Sequence, residues 1–170
     1  KYYEKEEIFS FKIVLTRMDL IDKKILSLLQ RDASLPLTTI AKKVGLSTTP
    51  CFNRIKKLEE DGVIKKKVAI IDNRKIDLPV IVYLSINVAK HTKEWLDTFT
   101  NQVTSFDEVV EMYRINGDTD YLIKVVVQSI EAYDNFSQRL ISEINFRSLK
   151  SNIVLKEIKN TTMLPLNHIE

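Results

Sequence analysis

Along the first third of the chain, apolar residues return every three or four positions in three short bursts separated by polar stretches. Ile21, Ile25, Leu28 and Leu29 make the first burst. Asp19 stands before them as an N-cap with Asp22 three residues on, so the spacing predicts a helix over 19–30, ended by Arg31-Asp32-Ala33-Ser34-Leu35-Pro36. A second helix is predicted from about Thr38 to Val44, burying Ile40, Ala41 and Val44. The third opens at Ser47 and closes at Gly62. At about 100° per residue, Cys51, Ile55 and Leu58 fall within about 60° of one another and form its core stripe. Val44-Gly45-Leu46 is the turn between the last two helices, where glycine tolerates the positive φ of a sharp reversal. Ser47 can accept from the open amides of the first turn, and Pro50 lies inside that turn, where its missing amide proton costs nothing.

The period changes after Gly62. Val63 to Ile71 turns extended, with Lys65, Lys66 and Lys67 inside it, and a strand pair directly after such a helix is a wing. Asp72 to Pro79 is polar, ends in proline and marks a boundary. Beyond it, Val80 to Val88 is nearly continuous apolar strand. Trp95, Leu96, Phe99 and Val103 share one helical face, and Glu108 to Ile115 and Tyr121 to Val127 are strands joined across Asn116 to Asp120. Ser129 caps a helix with Tyr133, Phe136, Leu140, Ile141 and Ile144 inward, and Ile153 to Ile158 is read as the last strand. The order β-α-β-β-α-β predicts a ferredoxin-like domain, so the fold class is α+β. The face of its sheet away from the helices is rich in Val, Ile, Leu and Tyr, which points to burial against another subunit. The divisions expected are an N-terminal extension over 1–17, a winged helix-turn-helix over 18–71, a linker over 72–79, a ferredoxin-like domain over 80–163 and a tail over 164–170. In the extension, Ile8 to Leu15 reads as a strand or an amphipathic arm against a partner.

Charge sharpens this division. Residues 1–78 hold 17 Lys and Arg against 11 Asp and Glu, whereas residues 79–170 hold 9 against 12. A basic part joined to an acidic part is expected where only one of them faces a polyanion. No apolar run reaches the length of a membrane span, and KYYEKEEIF is too charged for the core of a signal peptide. The single cysteine, Cys51, lies on the core stripe, which fits a reducing, cytoplasmic setting.

The outward face of the third helix carries Thr49, Asn53 and Lys56, flanked by Lys57, and is polar and basic. A second helix of that kind after a glycine turn is the reading helix of a DNA-binding helix-turn-helix; an αα-hairpin with a merely solvated face shares the pattern. Ser47, Thr48 and Thr49 at its amino end would face base edges of double-stranded DNA, and Asn53 could pair bidentately with adenine. Lys56, Lys57, Lys65, Lys66 and Lys67 suit phosphates, since ammonium groups position rather than specify. Arg54 flanks the core stripe and would contact phosphate or brace Glu59 or Asp61. Catalysis finds little support: His91 and His168 are the only histidines, no Cys/His spacing suits a metal, and phosphate-loop glycines are absent.

In combination, MDLIDKKILSLLQRD, IAKKVGLSTTPCFNRIKKLEEDGVI, NGDTDYLIKV and SIEAYDNF resemble the Lrp/AsnC family of transcriptional regulators, from about Met18 to Met163. LSTTPC followed by RIKKLE and GVI is most similar to the leucine-responsive branch. The resemblance implies a C-terminal domain that senses a small amino acid and drives assembly into homodimers and higher oligomers such as octamers, with no other cofactor. Gly117, Asp118, Thr119 and Asp120 match the family's G-x-x-D loop. There a glycine turn could present amides to an α-carboxylate while an Asp receives the α-ammonium; a plain tight hairpin is the alternative. The chain is thus expected to be an amino-acid-responsive transcriptional regulator. Its rivals are an architectural DNA-compacting protein with little effector response and a sensor module that binds no DNA.

Overall fold

The computed structural model describes residues 18–169, so the extension lies outside the described residues. The chain divides into two compact units, one formed by 18–69 with 160–169 and the other by 70–159.

The first unit holds three helices, α1 (Leu20–Leu29), α2 (Leu37–Val44) and α3 (Thr48–Glu60). Asp19 caps α1 by a reciprocal capping box: its Oδ1 accepts from the amides of Ile21 and Asp22 at 2.8 and 2.9 Å, and its own amide donates to Asp22 Oδ2 at 3.1 Å. Gly45 ends α2 at φ 76°, and the amide of Leu46 returns to the Ala41 carbonyl at 2.9 Å. That left-handed step turns the chain sharply enough for α3 to follow α2 directly. Ile25, Ile40, Ala41, Val44, Cys51, Ile55 and Leu58 close the core between the helices.

The terminal segment completes this unit. Leu166 packs on the helical core and Ile169 is only 6% exposed. Gln30, the C-cap of α1, binds both backbone groups of Leu164, and Lys23 Nζ donates to the Ile169 carbonyl at 3.0 Å. A segment that reads as a simple tail is therefore a fourth wall of the helical domain.

The expected wing is not formed as a strand pair. No strand occurs between α3 and Pro79 among the described residues; Val68, Ile70 and Ile71 are 63, 76 and 67% exposed. An extended segment becomes a strand only when another strand takes its amides and carbonyls, and among the described residues none does so.

The second unit begins with a 3-10 turn (Asn73–Ile76) and continues with β1 (Val80–Val88), α4 (Lys93–Thr104), β2 (Val109–Arg114), β3 (Tyr121–Val127), α5 (Ile130–Glu143) and β4 (Phe146–Ile153). The sheet order is β2-β3-β1-β4 and every neighbouring pair is antiparallel, the ferredoxin-like arrangement. Strict alternation sends Val82, Leu84, Ile86, Tyr121, Ile123 and Val125 toward Phe99 and Val103 of α4 and Phe136 and Leu140 of α5. The opposite face presents half-buried Ile81, Tyr83, Leu122 and Val126. Among them Lys124 Nζ meets Glu111 Oε1 at 2.9 Å, and the Tyr113 hydroxyl donates to the other Glu111 oxygen at 3.0 Å. These bonds hold the Glu111 carboxyl below its ordinary range and raise the Lys124 ammonium above its own.

Two details correct the reading of this half. The last strand runs over Phe146–Ile153, whereas Leu155 and Ile158 are 97 and 83% exposed. β4 is an edge strand with polar alternate positions, paired through Ile86 with Leu149 and Leu84 with Ser151, so it lacks the apolar run that marks the central strands. Ile141, expected inward on α5, is 56% exposed, because at about 100° per residue it lies more than a quarter-turn round the helix from the buried Phe136 and Leu140.

Candidate nucleic-acid interface and effector loop

The interface is built on α3. Ser47 takes the N-cap position at φ −75° and ψ 164°, yet its hydroxyl makes no capping bond. Pro50 removes one of the amides that a cap would satisfy, and the Cys51 amide reaches the Ser47 carbonyl at 3.3 Å. Ser47, Thr48 and Thr49 are exposed together at the amino end, with Asn53 one turn further along. A helix N-terminus with exposed hydroxyls is suited to negatively charged or acceptor-rich surfaces. Lys56 and Lys57 are exposed, as are Lys65 and Lys66 beyond the helix. Two of the cations have internal partners: Lys56 lies 3.4 Å from Glu60, and Lys67 Nζ lies 2.7 Å from Glu59 Oε1.

Arg54 has a different place from the one expected. Its Nη1 binds Asp19 Oδ2 at 2.7 Å and Asp22 Oδ1 at 2.8 Å, not Glu59 or Asp61. The guanidinium therefore locks α3 to the capping box of α1. The hydrogen bonds it donates to the Asp22 and Asp19 carboxylates raise its already high pKa. On its own helix it adjoins the core stripe, and the facing end of α1 offers it two carboxylates at once. Burial pushes the Cys51 thiol up, in keeping with a packing role.

Phe52 is not among the residues that the sequence pattern marks on α3. It is 51% exposed on α3, whereas Cys51, Ile55 and Leu58 of the same helix are buried. The available signal was its position: an aromatic off the core stripe and beside the polar face.

The candidate effector loop joins β2 to β3. The Ile115 amide donates to the Asp120 carbonyl at 2.9 Å and closes it. Asn116, Gly117 and Asp118 are exposed and Thr119 is half-buried. Asp120 clamps the end of β1: its amide donates to the Ile86 carbonyl at 3.1 Å, and its Oδ2 accepts from the Val88 amide at 2.9 Å. The β1–β3 ladder ends at the Ile86–Tyr121 pair, so the Val88 amide, two residues on and facing the same side, takes the carboxylate in place of a strand carbonyl. One oxygen of the carboxylate is thereby committed to the sheet. Among the described residues no group of His, Cys, Asp and Glu side chains could hold a metal ion, and no helix is long and apolar enough to cross a membrane.

A reading-type helix in a basic helical unit, joined to a ferredoxin-like unit, defines a DNA-binding regulator with a separate ligand-binding domain. Residues 18–65 match the winged helix-turn-helix DNA-binding family, and residues 81–164 match the Lrp/AsnC ligand binding domain. The chain is 40% identical over 153 residues to the glutamate uptake regulatory protein of Zymomonas mobilis, covering 90% of this chain and 93% of that one. Among solved structures, an AsnC family transcriptional regulator from Agrobacterium tumefaciens is 50% identical with a TM-score of 0.86, over 90% of this chain and all of the other. A transcriptional regulator of Neisseria meningitidis, solved as its L-Met complex, is 31% identical with a TM-score of 0.85, over 90% of this chain and 99% of that one. The chain belongs to the Lrp/AsnC family of transcriptional regulators.

Proposed function

We propose that this regulator reads double-stranded DNA with the amino end of α3 and changes its assembly when a small amino acid binds near Gly117, Asp118, Thr119 and Asp120. Ser47, Thr48, Thr49 and Asn53 meet base edges, and Lys56, Lys57, Lys65, Lys66 and Lys67 meet phosphates. Arg54 acts through its brace on α1. The observation that carries the DNA reading is the row of exposed hydroxyls and Asn53 at an α3 terminus whose cap position is left without a side-chain bond. An amino-acid effector is supported by the ligand-binding-domain match and by the methionine complex of the Neisseria relative. The half-buried apolar face of the sheet and the exposed Val68, Ile70 and Ile71 support a homodimer or higher oligomer in the cytoplasm.

The test is a thermal-shift screen of the twenty amino acids on the full chain, with each hit scored for its effect on affinity for duplex DNA across salt concentrations. A ligand that shifts both melting and DNA affinity is expected. Tight DNA binding unaffected by every amino acid would favour the architectural reading, and a ligand response without DNA binding would favour the sensor alone.

A further inference from the structure

The exposed ring of Phe52 is the feature of α3 that base-edge hydroxyls and lysines leave unexplained. An aromatic ring half in water forgoes about half of the free energy its full burial would release, so its place on a polar face calls for an apolar partner. Thr48, Phe52 and Lys56 form one i, i+4, i+8 row, adjacent to the row of Thr49 and Asn53. Helical side chains lean toward the amino end, so the ring covers the turn that carries Thr48 and Thr49. In the major groove, the one apolar group that a base edge offers is the C5-methyl of thymine. Phe52 therefore stands among the residues proposed to face bases, with the largest apolar surface in that row to set against a methyl group.

We propose that Phe52 reads a thymine by contact with its C5-methyl, and so helps set which sequence the regulator prefers. This rests on the reading of α3 as the DNA-contacting helix. A methyl against an aromatic ring adds apolar contact worth about one buried CH₂, so roughly a three- to tenfold preference for thymine over a base lacking the methyl is expected.

The experiment selects duplexes bound by the full-length chain from a random pool, then remakes the selected duplex with deoxyuridine replacing each thymidine singly. Uracil keeps the hydrogen-bonding edge and lacks only the methyl. For the unaltered chain, at least one position should lose about three- to tenfold in affinity on this change. Phe52→Ala should weaken the thymine duplex by a similar factor and bind thymine and uracil duplexes equally, whereas Phe52→Leu should keep part of the difference. Circular dichroism and low-salt binding to random duplex confirm that both variants are folded. A pool with no enrichment would remove sequence-specific reading itself, and the role of Phe52 with it. Enrichment without any uracil-sensitive position, or a thymine preference that survives in folded Phe52→Ala, would overturn the role of Phe52 and leave the regulator reading intact.

Discussion

The guanidinium of Arg54, midway along α3, lies 2.8 Å from the Asp22 carboxylate in the first turn of α1, and the same nitrogen reaches Asp19, the cap of that helix. One side chain thus fixes α3 against the helix that supports it. Asp22 is the better shielded of the two carboxylates, at 14% side-chain exposure against 51% for Asp19.

Arg54→Ala should destabilise the first unit by about 1–2 kcal/mol, the value of charge-assisted hydrogen bonds discounted for partial exposure. Arg54→Lys should recover only part of this, because an ammonium cannot match the planar fork. The Asp22 amide, and after it Arg54, holds the Asp19 carboxyl below its ordinary value. A depressed carboxyl contributes stability that is present above its unfolded pKa, about 4, and lost as pH falls through the folded value. The gap between the native chain and Arg54→Ala should therefore narrow in urea titrations below about pH 4. Identical midpoints at pH 7 would show that the brace contributes nothing.

Asn53→Ala should cost about 1–3 kcal/mol on the preferred sequence and relax discrimination there, since a bidentate base contact carries sequence information. Lys66→Ala should weaken all duplexes alike and make the salt slope shallower by about one unit. Electrophoretic mobility or fluorescence anisotropy on selected and random DNA distinguishes the two patterns. Equal losses on both DNAs for both variants would dismiss Asn53 as a base reader.

Asp120 serves the sheet and is proposed to serve the effector, and two substitutions separate these roles. Asp120→Ala leaves the Val88 amide without its acceptor and should destabilise the second unit by about 1–3 kcal/mol. Asp120→Asn retains an acceptor oxygen and should nearly preserve melting. It should nevertheless weaken amino-acid binding tenfold or more, about 1.4 kcal/mol, through loss of the charge that faces an α-ammonium. Calorimetry showing an unchanged isotherm for Asp120→Asn would reduce the loop to a hairpin.

Ile169→Ala should destabilise the helical unit by about 2–3 kcal/mol, the cost of emptying a buried aliphatic site. The ferredoxin-like unit should keep its own unfolding transition, because Ile169 belongs to the other unit. Residues 70–159 expressed alone should remain folded and at least dimeric in ultracentrifugation, and a monodisperse monomer at micromolar concentration would show that the sheet face needs no partner.

Much of this architecture is local, and local structure is written in periodicity. The capping box of α1, the glycine turn before α3, the stripe of Cys51, Ile55 and Leu58, and the alternation of β1 and β3 each depend on residues a few positions apart, so the sequence by itself determined them. It also marked Thr49, Asn53 and Lys56 as the polar face of α3 and Gly117 to Asp120 as the β2–β3 connection. Only the tertiary structure decided what lies far apart in the chain. Arg54 chose Asp19 and Asp22 over Glu59 and Asp61 because α1 presents two carboxylates to it across the helix packing. Asp120 reached Val88 because strand pairing brought the start of β3 beside the end of β1. Ile169 entered the helical core because the chain returns to its first unit after completing the second, and β4 was placed by its register with β1 rather than by its own apolar content. Each of these contacts joins residues more than thirty positions apart, where periodicity carries no information and the choice among several compatible partners falls to packing and to the need of every buried polar group for a partner.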